Sequence, residues 1–89
     1  MHEEDDEAFA ETQLIQAIEN QLESGEPPAT QAVYNKLSLV GYEREDILQM
    51  MALVLAWEIR TMMAEDRAFD GERYELALRA LPQMPEEDV

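Results

Sequence analysis

Between Gly41 and Gly71 the chain has neither glycine nor proline, and at the centre of that stretch lie eight consecutive apolar residues, Met50 to Trp57. Such a stretch predicts one long helix over roughly Glu43 to Glu65, about 34 Å at 1.5 Å per residue. Glu43, Glu45 and Asp46 fall near its start, where the helix dipole favours anions. Ile47, Met50, Met51, Val54, Leu55 and Met62 share one broad face, and Leu53, Ala56 and Trp57 carry apolar character round the other side. A helix that is apolar nearly all round in its middle needs cover on several sides, so the rest of the chain must fold around it.

The rest of the chain reads as three more helices. The 89 residues suffice for one domain. Leu14, Ile15, Ile18 and Leu22 make an apolar stripe on a first helix, Ala8 to Ser24, which Gly25 and then Pro27-Pro28 stop. Pro28 suits the first position of a second helix, because the N–H it lacks would have no partner there. That helix runs to Val40, with Val33, Leu37 and Val40 facing inward, Tyr34 beside them, and Gly41 ending it. Asp70 is a good N-cap for a fourth helix, Gly71 to Leu81, whose Tyr74, Ala77, Leu78 and Leu81 recur at helical spacing. Pro82 and Pro85 end the fold. The expected architecture is an all-α, compact four-helix domain over residues 8–82 with a long central third helix. A disordered acidic arm, residues 1–7, is expected before it and an acidic C-terminal tail, residues 83–89, after it.

Charge narrows the partners. The chain carries 21 acidic and 6 basic residues, a formal −15. Eight of the acids lie in residues 3–7 and 86–88, so the body holds 13 acids against the same 6 bases. Such a surface repels phosphate backbones and anionic membranes, so neither nucleic acid nor membrane is expected as a partner. An eight-residue apolar run is also well short of the ~20 residues of a membrane span. There is no cysteine, which excludes disulfides and thiolate chemistry, and the acidic start is the reverse of a signal peptide. Both features point to a cytoplasmic location.

No catalytic constellation is present, and the chain is not expected to be an enzyme. The one histidine, His2, falls in the acidic arm, whereas a catalytic base must be held in place. Ser24 ends a helix, Ser38 lies within one, and neither has the setting of a nucleophile elbow. The three glycines stand far apart at helix boundaries, as punctuation rather than a phosphate cradle. Read as a calcium loop from Asp66, the chain puts Ala68 and Ala77 at two ligand positions, so that match fails. No cofactor and no metal are therefore expected. Carboxylates such as Glu19 with Glu23, or Glu11 with Glu45, read first as solvated charges. Four of the six methionines, Met50, Met51, Met62 and Met63, lie on the third helix, where such side chains fill cores or give adaptable contact surfaces. Trp57 stands off the main apolar stripe beside Leu53 and Arg60. It suits either core burial or anchoring a partner, since tryptophan and arginine are frequent hot spots.

Four short pieces of the sequence also carry a likeness. They are Ala17-Ile18-Glu19-Asn20-Gln21-Leu22; Pro27-Pro28 with Tyr34 and Leu37; Gly41 leading into the apolar third helix; and Phe69-Asp70-Gly71-Glu72-Arg73-Tyr74 with Leu78. In their order and spacing, from Leu14 to Pro82, they resemble the helical part of a bacterial family of unknown function, number 1841 in the domain-of-unknown-function series. The resemblance implies an all-helical, soluble bacterial protein and little about activity. It also implies histidine pairs four apart on the first and third helices of relatives, where each pair could ligate a metal. The matching positions here are Glu11 and Ile15, and Glu45 and Gln49. If the relatives hold a metal there, this chain has lost the histidines. The longer N-terminal region of such relatives is missing as well.

The expected function is that of a non-enzymatic interaction or regulatory protein that acts by binding another protein, a second copy of itself included. The candidate interface is Leu53, Ala56, Trp57, Arg60 and Met63. One alternative is a carboxylate metal site at Glu11, Glu45 and Gln49. A second is an acidic mimic of nucleic acid that occupies a basic protein, which the charge motivates and its concentration in the tails weakens.

Overall fold

The structure is a computed structural model that describes the backbone of residues 3–85 and the side chains of residues 11–85. Its elements are α1 (Glu3–Ser24), α2 (Pro28–Val40), α3 (Arg44–Glu65) and α4 (Gly71–Ala80), with no strand among the described residues. The all-α, four-helix architecture with a long third helix is as expected. The helical backbone of α1 begins at Glu3 rather than Ala8, and so takes in residues 3–7. Consecutive acids at a helix N-terminus are favoured by the dipole there. Met1, His2 and the last four residues of the acidic tail lie outside the described residues.

Backbone chemistry sets the corners. Pro27 is extended (φ −72°, ψ 154°) and Pro28 takes the first position of α2. At the other end of α2, Gly41 adopts φ 120°. Its N–H donates to Ser38 O (3.1 Å) and the N–H of Tyr42 donates to Leu37 O (3.1 Å). Together these two bonds form a Schellman motif, which satisfies carbonyls the helix leaves over. The same motif ends α3 without a glycine. Asp66 is left-handed (φ 55°, ψ 50°), its N–H donates to Met63 O, and the N–H of Arg67 donates to Met62 O. Asp70 caps α4 as expected, its Oδ1 accepting the N–H of Arg73 at 3.1 Å.

Helix α3 packs against α1, α2 and α4, most extensively against α1. By length and composition alone it could cross a membrane; six of its apolar residues, Ile47, Leu48, Met51, Ala52, Val54 and Leu55, are buried inside the fold. Ile47, Met51, Val54 and Leu55 are buried with Ile18 of α1, Val33 and Leu37 of α2, and Tyr74, Leu78 and Leu81 at the α4 end. Val40 and Leu48 are among the positions that depart from the periodic reading. Val40 is 70% exposed, because Leu37 is the last inward residue of α2 and the Schellman turn begins there. Leu48, outside the expected apolar face, is buried because α3 is covered on more than one side.

Two polar arrangements tie elements together. Gln21 Oε1 accepts from Thr30 Oγ1 (2.6 Å) and from Tyr74 Oη (3.0 Å), joining α1, α2 and α4. Burial pushes the Tyr74 phenol above its ordinary pKa, against the opposing effect of its hydrogen bonds with Gln21 and Thr30. Lys36 Nζ donates to Arg79 O at 2.9 Å, a cation on a carbonyl in the last turn of α4.

Candidate interaction surface

The turn after α3 shapes the site. Because Asp66 bends the chain back, Arg67 lies against the helix it has just left, and its guanidinium meets Glu58. Arg67 Nη1 donates to Glu58 Oε2 at 2.9 Å and Nη2 to Oε1 at 3.3 Å, a two-point grip. The N–H of Asp70 also donates to Oε2 at 2.9 Å, and Arg73 Nε stands 3.9 Å from Oε1. Glu58 is fully buried. Burial by itself would raise the pKa of this carboxyl. The Arg67 hydrogen bonds, the Asp70 N–H and the charges of Arg67 and Arg73 outweigh it and hold the carboxyl below its ordinary value. Arg67 is correspondingly raised, through its bonds to Glu58 and Glu65. No buried side-chain nitrogen or oxygen among the described residues lacks a partner. Such a network can hold the α3–α4 connection in place; it offers no group free to do acid–base chemistry.

The same Arg73 reaches the expected interface. Its guanidinium lies over the Trp57 ring, 4.7 Å from the centroid. Trp57 is therefore half-buried, with one face covered by α4, rather than either a full core residue or a bare anchor. Around it the structure opens to solvent. Leu53 is 58% and Met63 70% exposed, Arg60 is exposed, and Ala56 is half-buried. Leu53, Ala56, Trp57 and Arg60 follow at helical spacing, so they form one stripe on the outward side of α3. Asp46, Gln49 and Ala64 continue it at both ends and are exposed as well. The five residues singled out from sequence thus occur together on one side of α3, with Met63 at its edge.

The residues of the alternative metal set all lie at the surface. Glu11, Glu45 and Gln49 are all exposed, and no three acidic or histidine side chains among the described residues gather closely enough to hold a metal. Glu19 pairs with Arg44 at 3.5 Å rather than with Glu23, and Arg44 Nη1 also donates to Tyr34 Oη at 3.3 Å.

Periodicity missed two features. One is the Glu58 network. Its signal was a lone carboxylate directly after an eight-residue apolar run, with Arg67 and Arg73 downstream. The other is a small apolar corner between α2 and α3, where Leu39 (88% exposed), Val40 and Tyr42 face solvent. No family model matches the chain, and no curated protein or solved structure matches it.

Proposed function

We propose that this chain is a non-enzymatic interaction protein, and that the outward stripe of α3 around Leu53, Trp57 and Arg60 is its contact surface. One observation carries the reading: Leu53 is more than half exposed at the middle of the helix that also forms the core. Leucine in that place contributes little to folding, and a polar residue would serve as well. Trp57, held by Arg73, supplies a rigid aromatic edge beside it. A large side chain fixed in place before binding loses little entropy on contact, which is what makes such residues effective anchors. The acidic surface favours protein over nucleic acid as partner. The absence of cysteine fits a reducing compartment, and we place the protein in the bacterial cytoplasm, in keeping with the resemblance noted above.

Crosslinking capture from a host lysate with the wild-type chain and with Leu53→Glu tests this. The substitution is at an exposed position, so stability should stay within about 0.5 kcal/mol. The expected result is a crosslinked partner that the variant no longer retains. An identical set of captured proteins for both chains would remove the α3 stripe from consideration.

A further inference from the structure

The outward stripe of α3 has a symmetric charge pattern. Asp46 precedes Leu53 by seven residues and Arg60 follows it by seven, and both are exposed. Seven residues is close to two turns, so all three occupy one face, with each charge about 10.5 Å along the axis from Leu53. We propose that the occupant of this face is a second copy of the chain, with the two α3 helices antiparallel about a two-fold axis at Leu53. The inference rests on the reading of this stripe as the contact surface, and it names the partner.

The charges decide the orientation. In a parallel pair Asp46 would meet Asp46 and Arg60 would meet Arg60, two like-charge contacts. In the antiparallel pair Asp46 of each copy meets Arg60 of the other, beside the contact that Arg60 already makes within its own chain, which gives two ion pairs related by the two-fold axis. The helix dipoles also oppose one another in that arrangement and reinforce one another unfavourably in the parallel one. Across the same axis Leu53 meets its own copy, half-buried Met50 lies opposite the small, half-buried Ala56, and exposed Gln49 lies opposite Trp57, so each large side chain but Leu53 faces a smaller one. A partner of unrelated sequence would not call for an acid and a base at equal distances either side of a central leucine. The stripe of one helix is smaller than the ~800 Å² per partner of a stable interface. The pair is accordingly a weak, reversible one, and the net charge of each chain opposes it at low salt.

Sedimentation equilibrium near physiological salt, up to about 1 mM protein, tests the arrangement with Asp46→Arg and Arg60→Asp. Wild type should associate as a dimer. Each variant alone places like charges opposite one another and should weaken association by about tenfold or more. An equimolar mixture of the two variants restores both ion pairs and should associate as well as wild type. Asp46→Arg also removes an acid from the first turn of α3, so thermal melts of both chains accompany the measurement. Should it melt early, Asp46→Asn with Arg60→Asp serves as the second pair: one ion pair is lost in the mixture, and recovery is expected to be partial. A wild-type chain that stays monomeric throughout overturns the self-pairing, as does a mixture no better than its components. Failure of the stripe as a contact surface at all is a separate result, read from capture that is unchanged by Leu53→Glu.

Discussion

Glu58 is the residue whose role in the fold is most out of proportion to its signal in the sequence. A buried carboxylate with no counter-charge would be expensive, and here three donors are aimed at it. Glu58→Ala leaves the Arg67 guanidinium and the Asp70 N–H without their acceptor. The expected cost is about 3–5 kcal/mol, a large part of the stability of a domain this size. Glu58→Gln keeps the shape and loses the charge, and should cost less. Because folding lowers the pKa of Glu58, its contribution is present in full above about pH 4.3, the ordinary value of an unfolded glutamate. The contribution disappears as pH falls through the lower folded value. Urea melts of wild type and Glu58→Gln should therefore differ at pH 7 and converge in acid. A gap that does not change with pH would mean that charge is not what Glu58 contributes. The residue was hard to read from sequence for a physical reason. Its partners lie nine and more residues away, beyond a turn, so no helical period links them.

At the scale of elements, the sequence was most legible where backbone chemistry punctuates it. Pro28, Gly41 and Asp70 each do in the structure what their covalent geometry or side-chain oxygen suggests. Legibility failed where a boundary depended on the rest of the fold. Val40 kept the period of α2 but lies past the last turn that touches the core, and Leu48 broke the period of α3 but found cover. The end of α3 shows the same limit. Asp66 takes a left-handed conformation that glycine adopts at less cost, and nothing local in the sequence marks it. Asp66→Gly is expected to raise stability by about 0.5–1 kcal/mol, the relief of strain exceeding the entropy that glycine adds to the unfolded chain. Thermal melts check this. A loss of stability instead would mean that the Asp66 side chain contributes more to the α3–α4 turn than its conformation costs.

For the whole molecule, the third helix has two roles that compete for the same surface. Its inward side holds the bundle together, and Trp57 and Leu53 show where that role ends: the first half-covered by α4, the second left to solvent. The candidate surface was legible as a set of residues, because off-stripe apolar positions on an apolar helix are visible by periodicity. Its state was not legible, since the cover over Trp57 comes from Arg73, sixteen residues downstream on another helix. Acidic character adds a second constraint, because a chain of net −15 resists close approach of its own kind unless a specific contact overcomes it. The contact proposed here is the outward stripe of α3. A series of amide proton–nitrogen NMR spectra, diluted from about 1 mM, tests it residue by residue. Concentration-dependent shifts are expected at Asp46, Gln49, Leu53 and Arg60. A spectrum unchanged by dilution, or shifts gathered instead at Leu39, Val40 and Tyr42, would contradict it.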